Sequence, residues 1–282
     1  QTFIRTYQNK LSQTLTFNGN TWQNETGFKG FISNFYNQTS LIIDKKVARN
    51  SNSFEWNPFS KSEEDLIGLN NNFRNSLFFH KGKQRNSVTY TYNSSSLKNL
   101  LNFGSQENYI KSHQLQYVHL VKKFWLFQLQ TNTSNSESIS DSYATRNFNI
   151  DGLEMAPKVS YIFSKNASWD VFYEFQNTEN QIGNAESLKQ NRFGTSFTFN
   201  SEKGFSVNGE FSHYNNSFEG NALSAVGFQL LEGLQVGKNQ TWRLLLQKNL
   251  TSYLDINVNY QGRKSETSKT IHTGNIQLRA FF

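Results

Sequence analysis

Apolar side chains recur at every second position in segment after segment of this sequence, and few folds accommodate that. Trp169, Val171, Tyr173 and Phe175 fall on one side of an extended chain, with Asp170, Phe172, Glu174 and Gln176 on the other. Phe193, Thr195, Phe197 and Phe199 oppose Arg192, Gly194, Ser196 and Thr198 in the same way. Leu254, Ile256, Val258 and Tyr260 oppose Asp255, Asn257, Asn259 and Gln261. Trp242, Leu244 and Leu246 oppose Arg243 and Gln247, with Leu245 as an apolar exception. Each segment has about the length a tilted strand needs to cross the hydrocarbon layer of a bilayer.

Alternation alone also suits a soluble β-sandwich. Two features separate the cases. The apolar face is aromatic, with 26 Phe, 12 Tyr and 5 Trp in 282 residues, and Tyr or Trp often stands near its ends, as an interfacial girdle requires. The opposite face is polar and often charged, which suits a wet lumen. A spanning helix is excluded, because it needs about 20 consecutive apolar residues and the densest run is Phe124-Trp125-Leu126-Phe127. Overall hydrophobic content of 35% and a mean hydropathy of -0.67 look soluble, yet only alternate residues of a barrel wall meet lipid. The expected fold is all-β: a transmembrane antiparallel up-and-down barrel over residues 1–282, with about 13 to 16 strands.

Strands are expected near 7–18, 25–36, 72–80, 85–93, 111–120, 124–131, 157–164, 168–177, 191–199, 204–214, 240–248, 252–262 and 271–282. Every second link is short: 19–24, 81–84, 121–123, 165–167, 200–203 and 249–251. The links between are longer: 37–71, 94–110, 132–156, 178–190, 215–239 and 263–270. Alternation inside two of these, 143–150 and 222–230, predicts strands prolonged beyond the membrane. Outer-membrane barrels have this asymmetry, with short periplasmic turns and long extracellular loops. The expected location is therefore the cell outer membrane, with the C-terminus periplasmic and the long loops outside. Bacterial single-chain barrels have even strand counts, so an odd count of thirteen predicts at least one further strand upstream. That expectation fails if residues 1–6 lie at the periplasmic end, or if the first and last strands pair.

The final strand places Ile276, Leu278, Ala280 and Phe282 on one face, against Asn275, Gln277 and Arg279. A terminal Phe on an alternating strand resembles the signal by which outer-membrane proteins are handed to the barrel-assembly machinery. The last fifty residues also resemble the C-terminal region of large outer-membrane proteins of the Bacteroidota. The segments concerned are Leu230-Leu-Glu-Gly-Leu-Gln-Val-Gly-Lys-Asn239, Tyr260-Gln-Gly-Arg-Lys-Ser-Glu266, Ile271-His-Thr-Gly274 and Leu278-Arg-Ala-Phe-Phe282. The resemblance covers 220–282 and implies a fold and a location, with a barrel that follows large N-terminal regions. It carries over no catalytic residues.

The wall's inward residues are expected to include Lys158, Asp170, Glu174, Arg192, Glu210, Arg243, Asp255 and Arg279. Both signs occur on neighbouring strands, so these groups either pair across the lumen or line a wet path. Five histidines, at 80, 113, 119, 213 and 272, are scattered. The pairs Ser112-His113 and Ser212-His213 point to opposite faces and cannot act together. Glu63-Glu64-Asp65 lacks the alternating, Gly-punctuated pattern of a calcium loop. Gly27-Phe-Lys-Gly30 falls within an expected strand and forms no phosphate loop. The chain has no cysteine, and no cofactor, metal or catalytic residue is expected. The net charge of +7 is dispersed, which fits phosphate-bearing lipid and lipopolysaccharide headgroups rather than nucleic acid. Other outer-membrane or surface proteins are the remaining expected partners. Three roles rank in order: membrane anchor or subunit of an outer-membrane assembly, transport pore (porin-like, or the distal strands of a TonB-dependent transporter), and outer-leaflet lipid enzyme.

Overall fold

A computed structural model describes residues 5–22, 24–49, 66–82, 85–101, 103–183, 185–202 and 204–281. Thirteen strands form one antiparallel up-and-down sheet, in which each strand pairs with its neighbours in sequence. They are β1 (Arg5–Asn18), β2 (Phe35–Arg49), β3 (Leu66–Phe79), β4 (Ser87–Leu100), β5 (Ser105–Val121), β6 (Trp125–Ser140), β7 (Phe148–Ser164), β8 (Ala167–Asn180), β9 (Ser187–Ser201), β10 (Phe205–Glu219), β11 (Gly237–Thr251), β12 (Leu254–Ser265) and β13 (Ile271–Ala280). A twisted sheet of this width curls, and the direction of curl is set by which face has to be hidden.

The hidden face is the polar one. Along β5, β6 and β7 the polar residues of one parity are half-buried while their apolar neighbours are exposed. Leu115, Tyr117, Phe127, Leu129, Leu153, Met155, Trp169, Tyr173, Phe193, Phe197 and Phe211 all lie open on the convex side. A soluble protein would bury these groups, at roughly 1.5–3 kcal/mol each. The chain is an inside-out barrel wall whose apolar band is built for lipid. Aromatic rings crowd the band's edge beside the turns: Trp125 meets Tyr161 at 4.8 Å, and Tyr161 meets Phe163 at 4.7 Å. Among the described residues no helix is long and apolar enough to cross a membrane.

The links 122–124, 165–166 and 252–253 stand at one end of the wall, next to the apolar band. At the other end are 141–147, 220–236 and 266–270, beyond polar extensions of the strands. These extensions replace most of the long loops expected at 94–110 and 132–156. Above the band both faces are polar, so Thr131 to Ser140 has no apolar period to mark it as strand, yet it pairs with β5 throughout and with β7 as far as Ser138. Pro157 sits within β7, and the β7–β8 ladder passes from Met155↔Phe175 to Lys158↔Phe172 with no pairing between.

Three expected segments are corrected. Residues 25–36 are not a strand: they hold the helix α1 (Gly27–Ile32), and β2 starts only at Phe35. Gly27-Phe-Lys-Gly30 is accordingly helical, and the expected short link 19–24 becomes a longer excursion at the short-turn end. Phe28, Phe31, Ile32 and Phe35 recur at helical spacing, and Phe31 packs on Phe35 with ring centres 5.2 Å apart. Residues 222–230 contribute to the helix α2 (Ala225–Leu231), capped by Ser224, whose hydroxyl accepts from the Gly227 N–H at 2.9 Å. Residues 143–150 contain a 3-10 turn, Ala144–Arg146, before β7 begins.

β1 starts at the long-loop end, with Arg5 opposite Arg49, and β13 finishes at the short-turn end, with Ala280 opposite Leu254. The two outermost strands run in the same direction and are not paired with each other.

Candidate functional site

The concave face has two unlike walls. From β3 to β6 it is amide-rich: Asn72, Ser76, Thr91, Asn93, Gln114, Gln116, Gln128, Gln130 and Asn132 share the inward parity, with the charge of Arg74 among them on β3. From β7 to β13 it carries the charges expected from the sequence. Lys158 is on β7, Asp170 and Glu174 on β8, Arg192 on β9, Glu210 on β10, Arg243 on β11, Asp255 on β12 and Arg279 on β13, all of one parity.

Four of these eight form a ladder along the wall. Arg192 donates to Glu174 at 3.2 Å and to Glu210 at 2.7 Å, and Arg243 donates to the second Glu210 oxygen at 3.4 Å. The Arg192 Nε–H also reaches the hydroxyl of Ser212, which is fully buried. The guanidinium is sandwiched by aromatics, 4.9 Å from the Phe172 ring centre and 5.3 Å from that of Tyr214. Phe172 lies so close on Gly194 that an added Cβ there would come within 2.3 Å of its ring. Glycine at 194 therefore makes room for an inward aromatic, which in turn supports the arginine. Asp255 faces Arg279 across the β12–β13 ladder at the short-turn end.

Lys158 and Asp170 stand beside the ladder. They border a cleft of about 400 Å³ that Gln116, Gln128 and Gln130 also line, Gln128 being the cross-strand partner of Lys158. A second cleft of about 340 Å³ continues toward the long-loop end, past Glu154, Gln176, Gln190 and Glu232.

Above that cleft the 220–236 link folds against the concave face. Val226, Leu230 and Leu231 of α2 pack on Ile150 and Leu188, with Phe148, Phe218 and Ala222 around them. Leu188 is 0% exposed. Below this cluster Glu186, itself buried, accepts from Ser224 at 2.9 Å and from Asn180 at 3.0 Å. Asn216 and Asn239 both donate to the Gln235 carbonyl, at 3.1 and 2.7 Å. Apolar packing at one end and amide bonds at the other fasten the link to the wall.

The histidine constellations are separated as the parity requires. Ser212 points inward to Arg192, while Nδ1 of His113 bonds the Tyr90 hydroxyl at 2.7 Å and Nδ1 of His272 bonds that of Tyr260 at 2.9 Å. Glu63-Glu64-Asp65 lies outside the described residues. Among the described residues no cluster of three or more His, Asp or Glu side chains could hold a metal ion. On β13, Ile276, Leu278 and Ala280 share the convex face with Val258, Ile256 and Leu254, their partners on β12, and Phe282 lies outside the described residues.

Charge alone marked the ladder in the sequence, so the glutamines and the Phe172–Gly194 contact escaped notice. Their signal was present: inward parity on β5 and β6, and a glycine opposite an inward phenylalanine.

No family model matches the chain, and no curated protein does. Among solved structures, it resembles CdiB from Acinetobacter baumannii at a TM-score of 0.46 and 10% identity, over 98% of this chain and 54% of that one. It resembles the transport unit of the autotransporter AIDA-I from Escherichia coli at 0.34 and 10%, over 99% and 89%. The beta domain of the Bordetella autotransporter BrkA follows at 0.32 and 7%, over 99% of each chain. This chain spans about half the length of the CdiB chain.

Proposed function

We propose that this protein is an integral β-barrel of the Gram-negative outer membrane that provides a polar path for small solutes. The observation carrying the reading is the inverted burial: half-buried amides and charges on the concave face, exposed Phe, Tyr, Trp and Leu on the convex one. The mixed charges support a pore of weak selectivity, ahead of the anchor that the sequence ranks first. Glu174, Arg192, Glu210 and Arg243 satisfy one another along the wall, and the amide-rich stretch from β3 to β6 adds only Arg74 among the described residues. Short turns face the periplasm, so β13 ends there, and the 220–236 link lies at the outer mouth. The convex band contacts lipid and lipopolysaccharide, and the outward face of β13 is what the assembly machinery would read. Membership of the Bacteroidota group resembled by 220–282 belongs to the same proposal, as does the absence of an enzymatic role.

Reconstitution into planar bilayers tests the role. The expected result is discrete conductance steps with weak ion selectivity, because a self-compensated wall presents no dominant sign. A membrane-integrated chain without steps would favour the second reading, an anchor or subunit within an outer-membrane assembly. That reading is supported by the unpaired outer edges of β1 and β13, which offer backbone donors and acceptors to another strand.

A further inference from the structure

Resting on the reading of the concave face as a wet lumen, we propose that the cleft between the glutamine row and β8 binds a small zwitterion. A free amino acid or dipeptide fits, its carboxylate held by Lys158 and its ammonium by Asp170. The cleft holds about 400 Å³, within the range of small-molecule sites. Of the charges lining it, Glu174, Arg192 and Glu210 are committed to one another. Among the described residues Lys158 makes no ion pair, and the Asp170 carboxylate accepts from the Ser196 hydroxyl at 3.2 Å. Both side chains are half-buried, so each charge is partly desolvated with no countercharge of its own.

The two sit on adjacent strands. Lys158 faces Phe172, and Asp170 is one inward position earlier on β8, opposite Ser160. Such diagonal neighbours stand about 7–8 Å apart, with Cβ atoms somewhat closer, and the long Lys158 side chain can swing aside to admit a ligand's backbone between the charged tips. Opposite charges at this spacing match a molecule carrying one of each and disfavour simple anions and cations. Gln116, Gln128 and Gln130 supply amide donors and acceptors for the peptide group in between. Phe172 does not present a free face for stacking a sugar, because Gly194 and the Arg192 guanidinium already cover it. Next to Lys158, the lapse in the β7–β8 ladder at Pro157 gives the wall local freedom to adjust.

The test uses the whole chain in lipid nanodiscs and titrates it calorimetrically with alanylglycine, its N-acetylated amide and maltose. Alanylglycine is expected to bind, with the two uncharged probes much weaker. Lys158→Gln and Asp170→Asn should each weaken binding about tenfold, the worth of one charge-assisted contact. The exchange variant K158D/D170K should recover to within about threefold, because the zwitterion can turn around. If a single variant fails to insert, labelling of Gln128→Cys in the otherwise unaltered chain gives the same answer, and alanylglycine should slow its reaction with a water-soluble maleimide. Equal binding of the capped dipeptide or maltose, indifference to both single variants, or no binding by an inserted barrel would overturn the site. A chain that does not insert into bilayers would instead overturn the barrel reading itself.

Discussion

Arg192 bears most of the polar order on the concave wall. One guanidinium satisfies Glu174 on one side and Glu210 on the other while filling the space between Phe172 and Tyr214. Replacing it by Met keeps the volume, leaves the half-buried Glu174 carboxylate without its ion pair and leaves Glu210 with Arg243 alone. The expected loss is about 1–2 kcal/mol, discounted because the groups are partly open to water. Denaturant unfolding in detergent measures it, and adding Glu174→Gln to the variant should recover most of the loss, since Glu210 keeps Arg243. Asp141, in the link after β6, makes a pH prediction outside the membrane. The Ser105 backbone N–H at 2.8 Å and hydroxyl at 2.9 Å hold its carboxyl below the ordinary value of 3.8. A depressed carboxyl stabilises the folded loop above its unfolded pKa, and the effect fades as pH falls through the lower folded one. Protection of the Ser105 amide from hydrogen exchange should therefore fall in acid below about pH 4. In Asp141→Asn that dependence should be absent. Parity alone located the charged residues, because an inward position in a strand follows from counting. Which of them bond to each other required the register, since Arg192 meets Glu174 and Glu210 only when both neighbouring strands are aligned.

Among the larger pieces, α2 and its link are seated on the concave wall near the long-loop end. The only apolar core cluster among the described residues is the one α2 makes with Ile150 and Leu188 on the concave wall. Deleting 222–234 and bridging the gap with glycines should raise single-channel conductance and leave the strands intact, a result read in the same bilayers and by circular dichroism. The link is recognisable from sequence as an insertion, but its helix is not recognisable from alternation. Val226, Gly227, Leu230 and Leu231 are its buried positions, a helical face that a period-two reading passes over. The same holds for α1, where Phe28, Phe31, Ile32 and Phe35 carry a helical spacing between two strands. β5, β6 and β7 erred in the opposite direction. Their outer halves are strand because hydrogen bonds to neighbours hold them, and no lipid is present there to impose an apolar period.

Among the described residues the thirteen strands share twelve seams, and β1 and β13 are not joined to each other. β1 and β13 are codirectional, so an antiparallel ladder joining them needs an odd number of intervening strands. The absence of native cysteine makes the arrangement easy to probe. Cysteines at His213 and Gln240, which face each other across β10 and β11, should form a disulfide on mild oxidation. Cysteines at Gln13 on β1 and Ile276 on β13 should not, as read on a non-reducing gel. Formation of the second bond would show that the edges close on each other.

Alternation, aromatic richness and the lack of a long apolar run were enough to specify an antiparallel membrane barrel, because lipid on one side and water on the other impose period two on each spanning strand. The inward residues followed from the same period. Chain order cannot report distances between strands, so the Glu174–Arg192–Glu210–Arg243 ladder, the cleft beside Lys158 and Asp170, and the seating of α2 on Leu188 all came from the register and the curl of the sheet. Polar strand ends and short helices were also beyond reach, since neither obeys the lipid-imposed rhythm on which the rest of the reading depends.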